Sequence, residues 1–186
     1  YQSGTTDITR CFGVGDIDDE MRRCSTAVFA AHVTLATAQF PTGTTGAQLD
    51  AICRAPLWAK YLDYGHGTGH GVGHLLSVHE GPVSISPRSH DKVETNYVLS
   101  NEPGTYRKGT FGIRHENLIL SVEVAKGWIA FETLTMFPFD ISLINTHLLS
   151  SPHKNWLNTY HRTVKDRLSP HLPPHLQGFL AEKCAL

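Results

Sequence analysis

Residues 65–73 read Gly-His-Gly-Thr-Gly-His-Gly-Val-Gly, with glycine at every second position. No stable helix forms on such a run, because five glycines would each cost about 1 kcal/mol relative to alanine. The stretch is extended or looping, and it marks a place where backbone approaches another segment closely. Working upstream, Met21, Cys24, Val28, Ala31 and Leu35 recur at steps of three and four, which predicts a helix of about five turns ended by Pro41. Gly43–Gly46 is a turn, and Thr45 with Gln48 forms a capping-box signal for a second helix. Its buried stripe is predicted as Leu49, Ile52 and Cys53, with a kink or restart at Pro56. Residues 4–12, GTTDITRCF, read as the end of a strand stopped by Gly13 and Gly15.

Downstream, strands are predicted at Tyr97–Ser100, Ile113–Ser121 and Trp128–Thr135, the last returning from a turn at 125–127. The C-terminal part is helical. Ser151 with Pro152 opens a helix on which Trp156, Tyr160, Val164 and Leu168 share one face, and Pro170, Pro173 and Pro174 break it before a short helix around Leu176–Leu180. No internal repeat or low-complexity tract interrupts this order. The fold class is α+β.

Composition narrows the function. A chain of 186 residues that is 40% hydrophobic and 18% charged buries a core and is one domain, or one domain and a tail. Sixteen basic against seventeen acidic residues leave a net charge of -1, so no positive excess exists to capture nucleic acid. No apolar run approaches a membrane span. Four scattered cysteines without a C-x-x-C pair point to a reducing, cytoplasmic setting. Of the twelve histidines, His147, His153, His161, His171 and His175 read as solvated side chains. The informative ones lie between positions 66 and 116.

Phosphate-binding, dinucleotide, serine-hydrolase and H-E-x-x-H patterns are all absent. What remains is Asp7, His70, Glu102 and Glu116, three carboxylates and an imidazole. That oxygen-rich set suits Mn²⁺, Co²⁺ or Zn²⁺ better than a thiolate site does. Spacing alone does not bring the four together. Taken singly, each carboxylate also reads as a solvated strand end or an ion pair with Arg10, Lys108 or Arg114, and His70 as a buried histidine bonded to backbone. Arg114 and Glu116 at i, i+2 form an alternative pair on one strand face.

Five segments in order, GTTDITR, YGHGTGHGVG, VHEGP, SNEPG and FGIRHEN, resemble the successive motifs of the Xaa-Pro aminopeptidases (aminopeptidase P), of metallopeptidase family M24. FETLTMFPFD followed by WLNTYH resembles the C-terminal extension of the longer members. The resemblance implies an N-terminally truncated pita-bread fold, with a partial catalytic domain at 1–138 and a helical extension at 139–186. It implies two divalent ions, Mn²⁺ first and Zn²⁺ or Co²⁺ as alternatives. Asp7 and Glu116 would bridge them, and His70 and Glu102 would complete one of them. His66 and His79 would be catalytic and contact substrate, and Tyr106 would line the proline pocket. His74 and His115 match no catalytic position and read as solvated or packed.

The implied activity is release of the first residue from peptides with proline second. The implied partners are such peptides and, in the full-length form, a second copy, with no nucleic acid and no membrane. The Trp156 face either serves that dimer or packs on its own domain. Pro56 and Thr105 depart from the usual pattern. Tyr1 resembles the end of a D-x-G-x-x-Y motif whose metal-chelating aspartate would precede this chain, so residues 1–186 alone are expected to be inactive or nearly so. Two rivals remain. A prolidase-like dipeptidase is disfavoured by the C-terminal extension, and a non-catalytic pita-bread binding module by the filled ligand positions.

Overall fold

The structure, a computed structural model, describes residues 4–75 and 77–185. Tyr1, with its reading as the end of an upstream motif, lies outside the described residues. Helix α1 (Asp19–Ala36) starts where Asp18 caps the backbone N–H of Met21 at 2.7 Å. It is buried nearly all round because it separates two cores. Val28, Ala31 and Leu35 face one with the second helix, α2 (Gly46–Trp58), and Phe29 and Val33 face the other.

The first core lies between these helices and a six-stranded antiparallel sheet. In chain order its strands are β1 (Gln39–Pro41), β2 (Gly69–Gly71), β3 (Glu80–Ile85), β4 (Val98–Asn101), β7 (Asn117–Ala125) and β8 (Trp128–Thr133), arranged β1-β8-β7-β4-β2-β3. A separate hairpin, β5 (Gly104–Arg107) with β6 (Phe111–Arg114), projects between β4 and β7 in the chain. The second core joins α1 to α3 (Ser151–Leu168) and α4 (Pro174–Lys183) through Phe139, Ile144, Leu157, Tyr160 and Val164. Trp156 and Tyr160 stack at 4.9 Å, and both lie near Phe139. The apolar face of α3 therefore packs within this chain. No helix among the described residues is long and apolar enough to cross a membrane.

The glycine-rich stretch behaves as its sequence predicts. A Cβ on Gly69 would lie 1.9 Å from the Ser100 carbonyl oxygen, and one on Gly71 2.1 Å from that of Glu80. Strand β2 can sit between β3 and β4 only without those side chains. The capping box at Thr45 and Gln48 forms as read.

Several local expectations change. Residues 4–12 are not a strand: they are held mainly by side chains, with Cys11 Sγ 3.3 Å from the Arg114 carbonyl. Helix α1 ends at Ala36, and Thr37 takes the cap, because Gln39–Pro41 pair with β8. Leu49 and Cys53 are buried but Ile52 is exposed. Pro56 does not restart α2: the helix runs on through it to Trp58. The predicted 113–121 strand is two strands. His115 N–H leaves the ladder for Pro103 O at 3.3 Å, and Glu116 N–H for Thr9 O at 3.1 Å. His161 is not solvated: it is 1% exposed, and its Nε2 accepts from Phe139 N–H at 3.0 Å. β3, which contains Pro82, and β5, which starts after Pro103, are strands for which the sequence carried no expectation.

Candidate metal centre

The departure of His115 and Glu116 from the sheet creates the site. Their outward turn delivers the Glu116 carboxylate to the 4–10 segment, where the Thr9 hydroxyl donates to Glu116 Oε2. Strand β2 brings in His70, and the turn from β4 to β5 brings in Glu102, whose N–H donates to Thr68 O at 2.8 Å. Asp7, His70 and Glu116 each offer one ligand atom, all within 4.8 Å of one another. Glu102 joins through His70, with Oε1 at 3.3 Å from His70 Nε2. All four sequence-predicted ligands therefore meet, three as a mutual set and the fourth at its edge.

The donor chemistry of this cluster fits a cation. His70 Nδ1 lies 2.9 Å from the Gly71 carbonyl, which can only accept, so Nδ1 carries the hydrogen. The neutral ring then turns a bare Nε2 toward Asp7 Oδ2 and Glu102 Oε1, each 3.3 Å away. Lone pairs face lone pairs, and a positive charge resolves that. Burial would lower the His70 pKa, but Glu102, the Gly71 carbonyl and Asp7 outweigh it and raise it. Burial pushes Glu116 up to about 7, with Glu102 and Asp7 adding to the push against Thr9 and Arg114. Glu102 moves the other way: burial opposes ionisation, but His70, Ser100 and Arg114 overcome it. Ser100 Oγ orders two of the candidate ligands at once, donating to Glu102 Oε1 at 2.9 Å and accepting from His70 N–H at 3.0 Å.

A second group borders the ligands. His66 Nδ1 is 2.7 Å from the Gly67 carbonyl, so this ring also carries its hydrogen on Nδ1. Its Nε2 accepts from Tyr106 Oη at 2.8 Å, and Tyr106 Oη accepts in turn from Arg114 Nε at 3.1 Å. Burial lowers the His66 pKa, with Arg114 adding to the effect, so the ring is neutral near neutral pH. The half-exposed Tyr106 ring lies over bare hairpin backbone, since a Cβ on Gly112 would meet it at 3.0 Å. His79 is exposed, with its ring centroid 4.1 Å from that of His70. Arg114 pairs with Glu102 Oε2 at 3.4 Å; the anticipated i, i+2 pair with Glu116 is lost because the strand breaks between them.

His74 is exposed. His115 is fully buried, its Nε2 3.0 Å from Ser25 Oγ. Residues the sequence reading passed over are Thr9, Ser100 and Arg54. Thr9 and Ser100 sit inside quoted motifs, but a hydroxyl carries no signal of its own.

Two family models match the chain end to end. The model of metallopeptidase family M24 matches residues 1–123, and that of the C-terminal region of peptidase M24 matches 127–186. The chain is 44% identical to a probable Xaa-Pro aminopeptidase P of Laccaria bicolor and 44% identical to aminopeptidase P1 of Arabidopsis thaliana. Each match covers 91% of this chain and 28% of the relative. The chain thus spans little more than a quarter of the length of these curated relatives. Among solved structures, the X-prolyl aminopeptidase of Caenorhabditis elegans, described as a cytosolic enzyme with a di-nuclear active site, superposes with a TM-score of 0.94. It is 40% identical, over 98% of this chain and 31% of that one. The prolidase of Pyrococcus furiosus gives 0.63 at 30% identity, over 71% and 37%.

Proposed function

The chain belongs to metallopeptidase family M24 and has its pita-bread fold, and on that premise we propose that it carries the catalytic site of a metal-dependent Xaa-Pro aminopeptidase. The observation that carries the reading is the convergence of Asp7, His70 and Glu116 within 4.8 Å, with Glu102 against His70. These four would hold two divalent ions, and the oxygen-rich donor set favours Mn²⁺ over Zn²⁺ or Co²⁺. When bound, such a pair supplies Lewis-acid polarisation of the scissile carbonyl and a water of lowered pKa.

The remaining residues bind and orient. Neutral His66, fixed by its Gly67 contact, receives the Tyr106 hydroxyl proton in a hydrogen bond and holds that ring at the mouth of the site. Tyr106 offers an aromatic wall for the proline ring of the substrate. His79, exposed with its ring 4.1 Å from that of His70, would contact the peptide and pass protons to or from it. Arg114 neutralises Glu102 and steadies Tyr106 from the other side.

Residues 1–138 are read as the catalytic portion and 139–186 as the C-terminal extension, and we place the protein in the cytoplasm. A homodimer of the whole protein would use a surface other than the α3 face, which the second core covers. The dipeptidase rival is disfavoured because the relatives 44% identical over 91% of this chain are a probable Xaa-Pro aminopeptidase P and an aminopeptidase P1, whereas the prolidase matches at 30% identity over 71%.

The test is cleavage by the purified whole protein loaded with Mn²⁺. Ala-Pro-Ala is expected to be hydrolysed at the first bond and Ala-Ala-Ala to be left intact. Equal rates on the two peptides would refute the reading.

A further inference from the structure

His66 stands in a segment that cannot place it unaided. Gly65, Gly67 and Gly69 surround it, and glycine imposes little conformational preference on backbone. The restraint comes from α2. Arg54 is 3% exposed and donates to four acceptors: Nε to Asp50 Oδ2 at 2.7 Å, Nη1 to Asp63 Oδ1 at 2.6 Å and to Tyr64 O at 2.8 Å, and Nη2 to His66 O at 2.7 Å. Its guanidinium carbon lies 3.8 Å from the centroid of the Tyr64 ring, and that ring lies 4.8 Å from the His66 ring at an angle of 34°.

Asp50, 2% exposed, fixes the far end of the same segment. Thr68 Oγ1 lies 2.6 Å from Asp50 Oδ1, and a carboxylate paired with arginine only accepts, so Thr68 donates to it. Thr68 then accepts from the Tyr64 hydroxyl. The carbonyls of Tyr64 and His66, the Tyr64 ring and the Thr68 hydroxyl are thus all held by one buried pair on one helix.

A buried ion pair is often no better for stability than apolar residues of similar volume. An apolar pair here could not bind two consecutive-but-one carbonyls. That is the work the planar, five-donor guanidinium does and a lysine cannot.

We infer that Arg54, oriented by Asp50, is the positioning residue of His66, fixing where the imidazole stands against Tyr106. The inference rests on the proposed role of His66, and its test separates the two.

In the whole protein, Arg54→Lys is expected to raise amide hydrogen exchange across residues 64–68 at least tenfold while metal content stays unchanged. Unchanged exchange overturns the inference whatever the enzyme does. On an Xaa-Pro peptide, kcat/KM should fall by roughly 10–100-fold, the scale of a misplaced group. In a His66→Ala background the same substitution should cost less than about twofold, as expected when one residue acts through the other. Equal losses in both backgrounds would make Arg54 a structural residue only and overturn the inference.

Should Arg54→Lys not fold, Tyr64→Phe keeps the stack and cuts the Tyr64–Thr68–Asp50 relay. It should lower kcat/KM roughly threefold, again only with His66 present. A wild-type protein inert on every Xaa-Pro peptide would remove the proposed activity, and the exchange measurement would still decide the clamp.

Discussion

His70 Nε2 and Asp7 Oδ2 face each other at 3.3 Å, and in the neutral ring neither atom bears a hydrogen. A cation between them converts repulsion into attraction, so metal should stabilise the fold as well as serve the chemistry. Mn²⁺ at one hundred times its dissociation constant is expected to add about 3 kcal/mol to the unfolding free energy. Removing Glu116 takes away a ligand that the Asp7–His70 pair cannot replace. Glu116→Ala should abolish peptide cleavage, and Mn²⁺ should then leave the melting temperature nearly unchanged. Wild-type metal stoichiometry in that variant would refute the ligand assignment.

Thr9 is the hydroxyl that orients Glu116. Outer groups that hold a ligand in place typically contribute 10–100-fold in metal affinity or activity. Thr9→Val keeps the side-chain shape and deletes the donor. It is expected to weaken Mn²⁺ binding at least about tenfold, with a melting temperature of the metal-free protein close to wild type. Titration of the metal-free variant with Mn²⁺ measures this directly; an unaltered affinity would leave Thr9 without a role at the site.

Glycine at 69 and glycine at 65 look alike in the sequence and differ in space. A Cβ at Gly69 would lie 1.9 Å from Ser100 O, and one at Gly65 would meet nothing within 4 Å. Gly69→Ala must spread β2 from β4 or displace His70, and is expected to cost about 3 kcal/mol or more, in the range of overpacked cores. Gly65→Ala should fall within about 1 kcal/mol of wild type. Urea unfolding of the two variants side by side is the measurement, and equal losses would contradict the close approach.

How far the sequence reached depends on what kind of contact carried each feature. The alternating glycines and the apolar steps of α1 and α2 are local patterns, and both were legible. The carboxylates and His70 were legible as a candidate metal set only through their motifs, because spacing along the chain says nothing about convergence in space. Thr9 escaped for the same reason, since it meets Glu116 across 107 positions; Ser100 and Arg54 bond the nearby Glu102 and Asp50, but a serine or an i, i+4 ion pair reads equally well as surface. The strand break at His115–Glu116 lies in the polar run Arg114–Asn117, which by itself does not tell a break from an exposed stretch of one strand. What ends the ladder there is the pair of carbonyls at Thr9 and Pro103. The stripe of α3 declared a helix with one apolar face, but not that Phe29 and Phe139 cover it.

His161 offers a test of the second core by pH. Burial pushes its pKa down to about 4, with Arg10 adding to that and a Cys184 backbone contact opposing it, so the folded ring stays neutral while an unfolded histidine titrates near 6.5. Below about pH 6.5 the unfolded chain binds the proton and the folded one does not. Stability supplied by the neutral ring is therefore complete above pH 6.5 and declines as pH falls toward 4, at up to about 1.4 kcal/mol per pH unit. His32 and His115 are buried and shifted in the same direction, so wild-type stability alone would mix three groups. Comparison with His161→Gln isolates one, because glutamine can still accept from Phe139 N–H but does not titrate. Wild type should exceed the variant in urea midpoint at pH 7.5, and the gap should narrow or reverse at pH 5. A gap that stays constant across that range would mean that His161 is protonated as easily in the fold as out of it, and that the second core does not exclude water from its ring.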